Sequence, residues 1–236
     1  MVEIKKAIKM ILKAGALTIR DVDGGESPFL YASGWGPGYI MIKGLVGRKK
    51  IIKSLIKELA ELVRLKAPDV NFIAGNVTGG LVPGWILSEY LEPLLNDTIP
   101  FVYVRDAKKK GGHKELITGI ANNPEILPGH NVLVVEELVN FSQTTCNSAE
   151  VLRKARYNVT HAACILFYNN PEAIQTLKKH KVEMIYLLTL PDLLEVAEEE
   201  KTHSQKLIMA YREFLKDPLT WQAKRGLKPV NGGGTK

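Results

Sequence analysis

Two adjacent carboxylates, Glu136 and Glu137, stand between an apolar run and a hydroxyl-rich turn, and that combination can do chemistry on a sugar phosphate. The run Asn131, Val132, Leu133, Val134, Val135 is rich in β-branched side chains and reads as a strand buried on both faces, ending at the two acids. Asn140, Phe141, Ser142, Gln143, Thr144 and Thr145 follow, and then a helical stripe of Cys146, Ala149, Leu152 and Ala155. A helix start offers unpaired N–H groups and a positive dipole end to phosphate, while two acids can hold ribose hydroxyls or a hydrated Mg²⁺. A plainer reading makes Ser142 only a helix cap and the glutamates only the solvated end of a strand.

Two further stretches carry candidate chemistry. Residues 73–80, IAGNVTGG, turn from a strand into a helix, and glycines there let backbone amides near Thr78, Gly79 and Gly80 approach a phosphate. The spacing is neither a dinucleotide fingerprint nor a Walker loop, and an ordinary tight turn would look the same. Residues 105–119, RDAKKKGGHKELITG, are basic, with Arg105, Lys108, Lys109, Lys110 and His113 able to meet pyrophosphate. Such a loop can close over a substrate and exclude water, or simply lie solvated.

The elements that position these residues alternate. Strands are expected over 70–75, 101–104, 132–135, 162–167 and 182–187, with helices over 48–66, 81–91, 143–155 and 171–179. This predicts an α/β fold with a mostly parallel central sheet and helices on both faces. In such sheets ligands bind beyond the C-terminal strand ends, where Thr78, Arg105 and Glu136 all fall. Before the core comes a helix carrying Ile4, Ala7, Ile8, Ile11 and Leu12, ended by Gly15. Short strands at 16–19 and 29–31 flank the turn Asp23-Gly24-Gly25, and an irregular glycine-rich wall holds Trp35, Pro37 and Tyr39. A helix at 207–215 precedes Asp217-Pro218, and the NGGGTK tail at 231–236 is expected to be disordered. The domain reading is 1–47 as helix and small N-terminal hood, 48–200 as core, and 201–236 as C-terminal helix and tail.

Composition narrows the setting. The charged fraction of 24% and apolar fraction of 45% are those of a globular domain, and no apolar run reaches the roughly 18 residues of a membrane span. Lysines break up the first fifteen or so residues, unlike a secretory signal. Two cysteines, Cys146 and Cys164, are too few for a disulfide framework, which places the chain in a reducing cytoplasm. The net charge of +7 comes without a nucleic-acid motif or aromatic–basic interleaving, so a polyphosphate substrate accounts for it as well as a polymer would. Neither nucleic acid nor a membrane is expected as a partner.

Taken in order, these motifs resemble those of the orotate phosphoribosyltransferases, within the type I phosphoribosyltransferases. AGALTI followed by ESPFLY is similar to that family's hood, GNVTGGL to its pyrophosphate loop, VYVRDAKKKGGHKELITG to its catalytic loop, and VLVVEEL to the opening of its phosphoribosyl-pyrophosphate motif. The resemblance covers residues 4–197. It implies transfer of phosphoribose from phosphoribosyl pyrophosphate to a pyrimidine base, with Mg²⁺ as cofactor. By matching position it makes Glu136 and Glu137 the ribose holders and indirect Mg²⁺ ligands. Asn140, Ser142, Thr144 and Thr145 become the phosphate cradle, with Thr78, Gly79 and Gly80 lining the pyrophosphate loop. Arg105, Lys108 and Lys109 bind pyrophosphate, and Lys109, His113 and Glu137 form the catalytic set. A homodimer with shared active sites is also implied.

This chain departs from the family pattern at definite places. Its phosphate turn has no glycine, leaving Asn140 as the residue best able to take a positive φ. Val22 stands where a hood lysine is expected, Asp106 follows the arginine where lysine is common, and Tyr168-Asn169 replaces an Asp-Arg pair. His113 comes two residues later than usual. These differences leave three readings open: an orotate enzyme, a phosphoribosyltransferase for another base, and a non-catalytic nucleotide-binding relative.

Overall fold

The computed structural model describes residues 2–31, 34–105 and 115–228. Helix α1 (Val2–Lys13) buries Ile8 and Ile11 and stops before Gly15. The hood follows. Strand β1 (Leu17–Ile19) pairs antiparallel with β4 (Gly38–Ile40), and β2 (Phe29–Tyr31) with β3 (Gly34–Gly36). The strands flanking Asp23-Gly24-Gly25 therefore do not pair with each other. Gly24 and Gly25 donate back to the carbonyls of Asp21 and Val22 at 3.1 Å, so the turn closes on itself instead of bridging two strands. The glycine-rich wall is regular structure, ending in a 3-10 helix over Lys43–Gly47.

The core begins with α2 (Lys49–Lys66), whose Ile52, Leu55, Ile56, Leu59 and Val63 recur at helical spacing and are buried. Next come β5 (Phe72–Asn76), α3 (Leu81–Leu95), β6 (Phe101–Val104) and β7 (Ile117–Thr118). Strand β8 (Val132–Val139), α4 (Gln143–Lys154), β9 (His161–Phe167), α5 (Pro171–His180) and β10 (Glu183–Thr189) continue the alternation. Helices α6 (Leu190–Glu199), α7 (Gln205–Lys216) and α8 (Pro218–Lys224) follow. Helices α6 and α8 were not expected from the sequence. Each is announced by a polar cap before proline: Thr189 accepts from the Asp192 N–H at 3.2 Å, and Asp217 from the Thr220 N–H at 2.9 Å.

The six-stranded sheet has the order β10-β9-β8-β5-β6-β7. All neighbours are parallel except β6 and β7. From β5 the chain moves outward to β6, whereas from β8 it moves the other way to β9 and β10. The β5–β8 pair is thus the switch point, and the loops leaving it open a crevice at the carboxyl ends. Alternation sends Ile73, Leu133 and Val135 to one face of the sheet, with α2, α3 and the hood. Phe72, Ala74, Val132 and Val134 go to the other, with α4 and α5.

Candidate active site

Strand β8 does not stop before the acids, as the sequence suggested, but runs through them to Val139. The reason lies in the neighbour: Leu138 and Val139 continue the parallel ladder against Leu166 and Phe167 of β9. Gly75 is in register with Val135, which sets Asn76, the last residue of β5, beside Glu136. Asn76 Nδ2 donates to Glu136 Oε1 at 2.6 Å, and the Thr144 hydroxyl reaches the same oxygen at 3.4 Å.

The loop after β5 packs directly on the acids. The Val77–Thr78 peptide is cis, and Thr78 is exposed. A Cβ on Gly79 would lie 1.4 Å from Glu137 Oε2, and one on Gly80 would lie 2.0 Å from the Val135 carbonyl. Only glycine lets the two strand ends come this close, so the GNVTGG loop and the acidic pair form one surface.

In the turn after β8, Ser142 and not Asn140 takes the left-handed conformation, with φ +67°. Asn140 is held elsewhere: Asn170 Nδ2 donates to both its carbonyl and its Oδ1 at 3.1 Å. Asn170, fully buried at the start of α5, also accepts from the Ala173 N–H at 2.8 Å, so one side chain ties the turn to β9 and α5. Ser142 makes no side-chain cap bond, and the first turn of α4 holds no acidic residue to compete for an anion.

Among the described residues, four buried side-chain polar atoms have no hydrogen-bond partner, and three belong to this region: Asn76 Oδ1, Ser142 Oγ and Thr145 Oγ1. A native interior leaves few such atoms, and a ligand is one reason for them to persist. Thr145 is buried behind the turn, while Asn140, Ser142, Gln143, Thr144 and Glu137 line a cavity of about 250 Å³. Its other wall is aromatic and aliphatic, from Leu30, Tyr31, Tyr39, Ile40 and Tyr168, with Lys43 at the rim. One side thus suits a phosphorylated sugar and the other a flat ring.

Burial raises the pKa of Glu137, against the pull of backbone N–H groups and of Lys43. Burial likewise pushes the Tyr31 hydroxyl up to about 12 and those of Tyr168 and Tyr211 well above the ordinary phenol range, so all three are neutral hydrogen-bonding groups. Among the described residues no three His, Cys, Asp or Glu side chains converge as a metal cage. Two neighbouring carboxylates fit a cation reached through ribose or water.

Arg105 is not among the residues lining the cavity. Its guanidinium lies 5.1 Å from the Tyr103 ring centroid and donates to the Tyr103 hydroxyl at 3.0 Å, since residues two apart on a strand share a face. Lys108, Lys109 and His113 lie outside the described residues. Lys43, Asn76, Gln143 and Asn170 belong to the site but were not in the expected set. Asn76 sits inside the glycine motif and Asn170 directly precedes the proline that opens α5, whereas nothing local to Lys43 marks it.

The fold and this site define a phosphoribosyltransferase, and the chain belongs to that family: the family model "Phosphoribosyl transferase domain" matches residues 44–192. The orotate phosphoribosyltransferase of Porphyromonas gingivalis is 30% identical over 198 residues, covering 83% of this chain and 89% of the relative. That of Phocaeicola vulgatus is 28% identical over 214 residues, covering 90% and 94%. Within the family, the chain therefore belongs with the orotate phosphoribosyltransferases. In fold it is similar to the orotate phosphoribosyltransferase from Aeropyrum pernix, with a TM-score of 0.62 and 23% identity over 80% of this chain and 97% of that one. It is similar also to a Leishmania donovani UMP synthase, with a TM-score of 0.68 and 19% identity, covering 89% of this chain and 42% of that longer one.

Proposed function

We propose that this chain transfers the phosphoribosyl group of phosphoribosyl pyrophosphate to orotate, giving orotidine monophosphate and pyrophosphate, a step of pyrimidine nucleotide synthesis. The bond between the anomeric carbon and the pyrophosphate oxygen breaks. A bond from that carbon to a ring nitrogen forms, and the nitrogen's proton leaves. The observation that carries this reading is the Glu137 carboxylate lying against Gly79, which joins an acidic strand end to a glycine loop beside a cavity with one polar and one aromatic wall.

Each part has a role in the reaction. Glu136 and Glu137 hold the ribose hydroxyls, and their negative charge favours the cationic sugar of the transition state. The start of α4, with Ser142, Thr144 and the backbone behind them, receives the terminal phosphate. The loop through Thr78, Gly79 and Gly80 receives pyrophosphate, and Arg105, Lys108, Lys109 and His113 supply the cationic and hydrogen-bonding groups that meet it. Glu136 and Glu137 would hold Mg²⁺ indirectly, through ribose or water, and the ion would supply positive charge against pyrophosphate. Tyr31, Tyr39 and Tyr168 form the base wall.

A second reading, a base without a carboxylate, draws on that wall: Val22 is packed on the core and Tyr168 is buried and neutral, so neither offers a carboxylate a charge, whereas Lys43, which also lines the cavity, favours orotate. We also assign a homodimer. Its support is an apolar patch of Leu81, Val82, Trp85, Ile86 and Phe101 beside the short edge strand β7, with Trp85 55% exposed. No helix among the described residues is long and apolar enough to cross a membrane, and both cysteines are free thiols, in keeping with a reducing cytoplasm.

The test incubates the protein with phosphoribosyl pyrophosphate, Mg²⁺ and a panel of bases, following pyrophosphate release. Orotate should give the fastest turnover. Release with another base and not with orotate selects the second reading, and no release with any base overturns both.

A further inference from the structure

The base wall is built from segments that cannot hold themselves in place. Tyr31 and Tyr39 lie in three-residue strands of two-stranded sheets, and paired strands this short are marginal without something packed on them. Helices α7 and α8, which lie beyond residue 192 where the family match ends, supply that packing.

The contacts are specific and numerous for so small a hood. Arg225 grips Asp23 with both arms, Nε to Oδ1 at 3.0 Å and Nη2 to Oδ2 at 2.9 Å. Its side chain is only 15% exposed and stacks 4.2 Å from the buried Trp221 ring. Glu213 is its second acidic neighbour, at 3.8 Å. Lys206 pairs with Asp21 at 2.5 Å. Gln222, itself buried, accepts from the backbone N–H of Trp35 at 3.0 Å, and the Trp35 ring N–H donates to the Lys228 carbonyl at 3.1 Å.

The same helices reach the wall itself. Tyr211 lies under Gly38, where a Cβ would come within 2.2 Å of the ring, and its hydroxyl donates to the Tyr168 hydroxyl at 3.0 Å. Phe214 meets Tyr31 edge-on at 6.2 Å, and the Tyr31 hydroxyl donates to the Gly38 carbonyl. Tyr211, Phe214, Trp221, Gln222 and Arg225 do not line the cavity, yet Tyr31 and Tyr168, which Phe214 and Tyr211 pack behind, do.

We infer that the C-terminal helices α7 and α8 brace the hood from behind, making Arg225 and Gln222 positioning residues for recognition of the base. This rests on the reaction proposed above. The phosphate turn, the acidic pair and the glycine loop are built from other elements, so loosening the brace should weaken the base and spare the sugar phosphate. A bidentate, half-desolvated ion pair of this kind should change affinity about five- to tenfold.

The test is a charge-reversal cycle on the intact chain: Arg225→Asp, Asp23→Arg and the double variant, with steady-state KM for orotate and for phosphoribosyl pyrophosphate, and amide hydrogen exchange of the hood strands. Each single variant should raise the orotate KM about five- to tenfold, leave kcat and the other KM within about twofold, and speed hood exchange. The reversed pair should return the orotate KM most of the way. Equal rises in both KM values, an unchanged orotate KM, or no rescue in the double variant would overturn the inference. If the wild type turns over no orotate, the reaction itself is wrong. The brace is then judged on exchange alone, where unchanged hood amides in Arg225→Asp would overturn it.

Discussion

Glu137 is the residue on which fold and chemistry conflict. Burial raises its pKa, so the folded protein binds that proton more tightly than the unfolded chain. Its contribution to stability is therefore most favourable below the ordinary carboxylate range and is lost as pH rises through the raised value. Glu137→Gln removes this loss. Without ligand, the variant's melting temperature should match the wild type near pH 4 and exceed it at pH 7. The same variant should show none of the stabilisation by phosphoribosyl pyrophosphate that the wild type gains, about 2.7 kcal/mol at a hundredfold excess over Kd. A thermal-shift series over pH, with and without the ligand, reads both.

The two glycines facing this strand should separate activity from stability. At Gly79 the obstructing atoms are the end of the Glu137 side chain, which can swing aside, whereas at Gly80 they are the backbone of β8 and β5. Gly79→Ala should cost under about 1 kcal/mol of stability yet lose most of the turnover, because the carboxylate is displaced. Gly80→Ala should destabilise by about 1–3 kcal/mol, as overpacking against backbone does. Urea melts and initial rates on the same preparations check the contrast.

At the scale of elements, the β8–α4 turn is held in shape by its neighbours. Ser142 is left-handed with its hydroxyl buried and unpartnered, and Asn170 holds Asn140 from the adjoining unit. Glycine is at ease in that conformation and brings no hydroxyl, so Ser142→Gly should stabilise the unliganded protein by about 0.5–1 kcal/mol. Ligand affinity should fall by no more than about tenfold, the worth of one neutral hydrogen bond. Denaturation together with ligand titration measures the two effects. Much of the element pattern was readable: the periodicity of α2 and the apolar runs of β5, β8 and β9 are local facts. The caps of α6 and α8 were equally local, in Thr189-Leu190-Pro191-Asp192 and Asp217-Pro218-Leu219-Thr220. The ends of β8 were not, because its length is fixed by hydrogen bonds to β9 and not by its own residues.

At the scale of the whole molecule, the proposed homodimer rests on the exposed Trp85 beside Phe101. Trp85→Glu should shift the protein from dimer to monomer in sedimentation velocity at micromolar concentration, with no fall in melting temperature beyond the loss of coupling to assembly. A wild type that sediments as a monomer throughout would remove the homodimer from the account.

The sequence by itself determined the α/β alternation, the acidic pair, the glycine loop and the family to which they belong, because these are patterns of neighbouring residues with fixed periods and spacings. Tertiary structure decided which of them meet. Glu137 touches Gly79 because β5 and β8 are adjacent in the sheet, 60 residues apart as Asn76 and Glu136 are. Lys43 comes to the rim of the cavity, and Arg225 reaches across to Asp23 over 202 residues of chain. Contacts of that separation depend on how layers pack, and no local propensity encodes them.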